Sequence, residues 1–231
     1  MPWTLEGETT FNIVANDTDQ DVTLPGSPIE GDIVIYCHAA DQAVSPGVGT
    51  TGYTDIETDH GAIDPGHGSG WKQLGSTPDT LITFQQASGN EHTAGVLQVW
   101  RGADATTPLD AGPASAAGTG NPDSPEITTV NDGALVFSLG MLDDLNIAAS
   151  ITAPSGYTNL LAHDNTDNID NACSMIASFE KASAGAENPG AFGASGSDPW
   201  DAATISFRLA AAAVFNPYKD YYQRHNSLIR M

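Results

Sequence analysis

The sequence predicts an all-β protein, a jelly-roll-like β-sandwich of about ten strands, and three observations predict it. Short runs of alternating, β-branched and aromatic residues recur along the chain, each bounded by Gly, Pro, Asn or Asp. Almost no stretch carries the 3.6-residue period of an amphipathic helix. With no helices to cover them, so many strands bury their apolar faces only by packing two sheets face to face. The body spans residues 1–209, and residues 210–231 form a C-terminal extension of different character.

Residues 9–15 (TTFNIVA) and 20–24 (QDVTL) alternate and read as strands with a polar turn between them. Pro25, Gly26 and Pro28 break the pattern before Gly31-Asp32 launches residues 33–39 (IVIYCHA). That run is apolar nearly throughout, which predicts a central strand covered on both faces. Residues 41–70 show no periodicity and read as a long loop, a type usually functional or disordered. Residues 71–76, 80–87 and 91–101 resume the β pattern; in the last, Val96, Gln98 and Trp100 face one way and Leu97 and Val99 the other. A second loop is expected at 102–124 and a short strand at 126–130. After the turn signal Asn131-Asp132-Gly133, residues 134–141 (ALVFSLGM) echo the run at 33–39 and predict a second central strand. The echo is too short by itself to define an internal repeat. Residues 157–162, 172–181 and 200–209 complete the strands, with a third loop at 183–199 and a helical turn expected near 209–214 or 217–225.

Charge divides the chain. There are 7 Lys+Arg against 29 Asp+Glu, for a net charge of −22. The extension holds Lys219, Arg224 and Arg230 against one acid, Asp220, so it is +2 and the body is −24. A surface this acidic does not bind nucleic acid, which requires Lys and Arg on phosphates, and is repelled by anionic membranes. It suits solubility, self-repulsion or salty surroundings. No run is long enough to cross a membrane as a helix, and no signal peptide is expected from residues 1–10 (MPWTLEGETT). Cys37 and Cys173 each sit in an apolar run and are expected to be buried free thiols.

The extension also carries Phe215, Tyr218, Tyr221 and Tyr222. Ordering 22 residues costs on the order of 20–40 kcal/mol of backbone entropy. Offsetting that at about 25 cal/mol per Å² takes roughly 800–1,600 Å² of apolar burial. Four aromatics supply much of it once a surface receives them. Aromatics and Arg dominate interface energetics. Phe215, Tyr218, Lys219, Tyr221, Tyr222, Arg224 and Arg230, with Trp3 at the other end, are therefore the expected interface residues.

Chemistry-bearing motifs are sparse. Asp55, Glu57 and Asp59, with Asp64, present alternate carboxylates in the manner of a Ca²⁺ loop, but the Gly and Glu of an EF-hand are missing, so only an irregular Ca²⁺ site would fit. His60 and His67 lack the further ligands of a zinc site. Residues 66–70 (GHGSG) do not space a nucleophile elbow, and no phosphate-binding glycine motif occurs. No catalytic residue and no obligatory cofactor is expected, and the chain reads as a non-enzyme.

The residues Gly31-Asp32-Ile33-Val34-Ile35, Gly70-Trp71, Val99-Trp100-Arg101-Gly102-Ala103, Thr107-Pro108-Leu109-Asp110, Asp132-Gly133-Ala134-Leu135-Val136, Pro154-Ser155-Gly156-Tyr157 and Trp200 through Phe207 together resemble a loose group of β-sandwich virion proteins of tailed phages and viruses. The resemblance spans residues 28–208. It implies a surface decoration or tail-appendage component located in the virion, whose partners are copies of itself and other virion proteins, with no catalytic residues. Two rival expectations are a lectin-like receptor-binding module of a tail fibre or spike, in which a Trp stacks on sugar, and a secreted carbohydrate-active enzyme.

Overall fold

The computed structural model describes residues 2–13, 19–40, 47–58, 66–85, 92–143, 148–165, 172–194 and 198–211, with Glu57 and Thr58 described by backbone alone. Sixteen strands follow one another: β1 (Thr4–Ile13), β2 (Gln20–Thr23), β3 (Ile33–Ala40), β4 (Thr54–Thr58), β5 (Gly66–Gln73), β6 (Leu81–Phe84), β7 (Thr93–Arg101), β8 (Leu109–Thr119), β9 (Asp123–Ser124), β10 (Ile127–Thr129), β11 (Ala134–Asp143), β12 (Thr158–Asp164), β13 (Ala172–Lys181), β14 (Gly185–Glu187), β15 (Gly190–Ala191) and β16 (Pro199–Phe207). One 3₁₀ turn, Ala148–Ser150, is the sole helical element among the described residues.

Two five-stranded antiparallel sheets carry the fold, ordered β1-β7-β3-β5-β4 and β12-β13-β11-β16-β8. The expected all-β sandwich of about ten principal strands is what the structure shows. A jelly roll passes strands back and forth between its sheets; here residues 4–101 fill one sheet and 109–207 the other. The first sheet is backed by one two-stranded ribbon, β2-β6, and the second by two, β9-β15 and β10-β14.

Three apolar clusters result. The central one, between the sheets, is built on Ile35, Cys37, Trp100, Phe137, Leu139 and Phe207. The other two lie under the ribbons, around Tyr36, Ile82 and Phe84 on one side and Val136, Met175 and Phe192 on the other. Every residue of β3 is buried because both of its faces are covered. The continuous apolar run predicted that, and β11 repeats it up to its last residue.

Several boundaries differ from expectation. The stretch 41–70 contains β4 and the start of β5, 102–124 contains β8 and β9, and 183–199 contains β14 and β15. β1 starts at Thr4 rather than near residue 9. β5, β8, β14 and β15 are rich in Gly, Ala and Ser, so propensity hides them, and in places cross-strand partners supply the missing bulk. Gly70 pairs with Tyr36, Gly95 with Phe11 and Gly118 with Trp200, and in each case the aromatic ring fills the place a glycine Cβ would take. Residues 172–181 form a strand, as their flanks suggested. The expected helical turn lies almost wholly outside the described residues.

Candidate functional site

The body's cations are tied down. Arg101 donates from Nε and Nη2 to both carboxylate oxygens of Asp32, each at 2.9 Å, and from Nη1 to Glu6 at 2.7 Å. Asp32 is fully buried, and this two-pronged pairing raises the Arg101 pKa further. Lys72 bonds Asp79 at 2.6 Å and Lys181 bonds Glu187 at 2.9 Å. Arg208 donates to the Thr107 hydroxyl at 3.0 Å. These are all four Lys and Arg of the body; three are paired with carboxylates, so the exposed acids of the body have little positive charge among them.

The chain leaves the body at a fixed point. Ala210 donates its N–H to the Gly102 carbonyl at 2.7 Å, and Asp104 donates to Arg208 at 2.9 Å, closing a small bridge between Ala103 and Leu209. Ala211 is exposed. Two of the exposed large apolar side chains, Leu109 and Val130, lie near this exit: Leu109 pairs with Phe207, and the Asp110 carboxylate accepts the Val130 N–H at 2.8 Å. The expected docking residues Phe215, Tyr218, Lys219, Tyr221, Tyr222, Arg224 and Arg230 lie outside the described residues. Trp3 is half-buried against the central core, and its indole N–H donates to the Gly133 carbonyl at 2.8 Å, so this ring also serves its own body.

Asp55 sits exposed on β4 and Glu57 lies on the same strand, whereas Asp59 and Asp64 fall outside the described residues. Among the described residues no three His, Cys, Asp or Glu converge as metal ligands would. Trp100 and Trp200 are buried, and Trp71 packs its ring against Phe207 at 5.0 Å, so these three act as core and edge anchors. Ser69 and His67 lie on the buried strand β5, not on a nucleophile elbow. Both cysteines are buried thiols outside any disulfide. The Cys37 thiol faces the central core and Cys173 the outer one, and burial raises the Cys37 pKa.

One buried polar pair went unnoticed in sequence. His67 Nδ1 lies 3.0 Å from Asp201 Oδ2 across the two sheets, both side chains fully buried. No local pattern joins residues so far apart in the chain; Asp201 inside the apolar run of β16 was the one signal available.

No family model matches the chain, and no curated protein matches it. Among solved structures, the STIV MCP, a viral major capsid protein, aligns over 87% of this chain and 97% of its own at 9% identity, with a TM-score of 0.20. A score that low carries no argument about fold or function. Nor does that neighbour point to tailed phages in particular.

Proposed function

We propose that this protein is a non-enzymatic structural component of a virion, a surface decoration or capsid-associated sandwich that assembles through its C-terminal extension. The observation that carries the reading is the contrast between body and extension. The body pairs three of its four cations internally, while the extension bears three cations and four aromatics on +2 net charge. An apolar, cationic strip leaving an anionic body is suited to an acidic or apolar surface on a neighbouring subunit. Many repeated weak contacts of this kind add up once the copies are held together.

Deleting residues 212–231 tests the reading. The truncated body is expected to keep the native melting temperature and to sediment as a monomer, while the full chain associates and incorporates into its particle. Full incorporation of the truncated chain would overturn the proposal. Glycan-array binding lost on mutation of a Trp would instead favour the lectin-like alternative, and polysaccharide turnover abolished by one Glu substitution would favour the carbohydrate-active enzyme.

A further inference from the structure

The two sheets have one topology. Read from the edge strand, the first runs β1-β7-β3-β5-β4 and the second β8-β16-β11-β13-β12. In chain order, the first to last strands of one sheet occupy the same places as the first to last strands of the other. Registers match as well. Ile33 pairs with both Gln73 and Trp100, and Leu135 pairs with both Glu180 and Phe207. Leu5 pairs with Trp100 and the next residue is bulged out; Leu109 pairs with Phe207 and the next residue is bulged out, although β8 adds a second shift between Ala111 and Ala114 that β1 lacks.

On the opposite edge, Thr54, Glu57 and Thr58 pair with Trp71, Ser69 and Gly68 around one bulge. Thr158, Leu161 and Ala162 pair with Ser178, Ile176 and Met175 around the same bulge, 104 residues later on the edge strand and 107 later on its partner. Both edges are preceded by Gly-Tyr-Thr with the glycine at φ 87° (Gly52 and Gly156). Gly31 and Gly133, both at positive φ, donate to the carbonyls of Leu74 and Lys181 respectively. The ribbons carry equivalent isolated bridges, Val48 to Phe84 and Thr152 to Gly193. Bulges and registers are independent choices at each strand pair, so their joint repetition is not explained by two sheets merely being alike.

We infer that residues 3–102 and 107–209 are two copies of one fold unit, and that their inner sheet faces form a twofold association surface whose partner is the sister copy. The contacts across that surface obey the twofold. His67 on β5 meets Asp201 on β16, and the equivalent pair on the other side is Ser174 on β13 with Ala94 on β7, joined by a Ser174 hydroxyl bond to the Ala94 carbonyl at 2.9 Å. The surface has also diverged so that each copy fits the other better than itself. Cys37 and Ala39 stand where the sister carries Leu139 and Met141, so small side chains of one copy share the central core with large ones of the other. Two second copies together would set Asp201 against Ser174, leaving the buried Asp201 carboxyl without the imidazole it faces here. This association is independent of where the protein acts.

The test uses the full chain with a protease site inserted between Ala105 and Thr106, both exposed. After cleavage the two segments are expected to stay together as a 1:1 complex in native mass spectrometry. Once separated in denaturant and remixed, they are expected to regain that 1:1 complex and the native circular dichroism, with homotypic pairs under about a tenth of the product. Segments that part under native conditions, remix only to aggregates, or pair homotypically in comparable yield would overturn the inference. Should the insertion prevent folding, a circular permutant decides. It opens between the same two residues and joins Ala211 to Pro2 through a linker no longer than the native segment 103–106, since the twofold places one gap where the other is. A permutant that fails to fold would then count against the duplication.

Discussion

In the first half of the molecule Phe11 faces Gly95 across β1 and β7; at the equivalent place in the second half Ala116 faces Ala202 across β8 and β16. The pairing is kept while its volume is shared out differently. The same holds between the sheets, where Ile35 and Phe137 occupy one position in the two copies. Apart from one extra shift in β8, between Ala111 and Ala114, backbone pairing, bulges and turn glycines persist because each fixes the direction of a strand. Side chains drift because the packing criterion applies to the sum of a contact and not to each member of it.

The largest expected break in this comparison lies at the inner polar contacts. His67→Ala takes away the imidazole 3.0 Å from the buried Asp201 side chain and should cost several kcal/mol by leaving a buried polar group without its partner, whereas Ser174→Ala removes one hydrogen bond and should cost about 1 kcal/mol. Chemical denaturation of the two variants reads the difference directly. Equal costs would mean that the His67–Asp201 pair of this structure holds the halves together no more strongly than the Ser174 hydrogen bond.

Next in size is Phe137→Ala, which empties a fully buried site touching both Trp100 and Phe207. Cavity formation there should cost about 3–5 kcal/mol. Gly95→Ala sharpens the comparison from the other side. The sister copy already carries alanine at this place, yet a Cβ on Gly95 collides with the Phe11 ring. Overpacking should cost about 1–3 kcal/mol, and the double variant with Phe11→Ala should recover part of it. No recovery would show that Phe11 and Gly95 do not share one volume.

One pH dependence of the first half has no counterpart at the equivalent place in the second. His38 lies in the outer core beside Tyr36 and Phe84, with ring centroids 5.8 and 5.7 Å away, and Gly140 takes its place in the sister copy. Burial, with a smaller contribution from His67, lowers the His38 pKa to about 3. The unfolded chain therefore binds this proton first, so stability holds above about pH 6.5 and falls as pH drops toward 3. From pH 7 to 5 the loss should be about 2 kcal/mol at roughly 1.4 kcal/mol per unit. Replacing His38 with Met should flatten that slope in a urea titration; an unchanged slope would place the sensitivity elsewhere.

Much of this fold was legible from residues, and what was not has physical causes. Buried central strands announced themselves through β3 and β11, since two covered faces demand apolar side chains in succession. β5 and β8 did not, because Gly70 and Gly118 borrow their bulk from Tyr36 and Trp200 on neighbouring strands, and a linear pattern cannot see a neighbour. The duplication was half visible. The echo of 33–39 in 134–141 and the repeated Gly-Tyr-Thr each look accidental alone, and only strand register joins them. The paired cations of the body follow a composition in which acids far outnumber bases. The extension's aromatic and basic residues stay a sequence reading, since they lie outside the described residues.

The smallest effect is expected where the two copies end. Asp104 and Ala211 occupy equivalent exits, one turned into a linker and one leading to the extension. Asp104 Oδ1 accepts the N–H groups of Thr106 and Thr107, both at 2.9 Å, and that turn returns the chain into β8. The same bonds, chiefly from Thr107, hold its carboxyl at about 2. Because that pKa is depressed, the turn's contribution is present above the ordinary carboxylate range and disappears only as pH falls through about 2. Asp104→Ala should speed amide exchange at Thr106 and Thr107 several-fold while leaving the global melting temperature within a degree or so, as a surface substitution does. At pH 4 the wild-type chain should therefore show a weakened outer core around His38 and an intact linker turn, two transitions separated along the pH axis. A single transition for both would mean that the first copy and its linker open together, and the linker could no longer be treated as an independent joint between the copies.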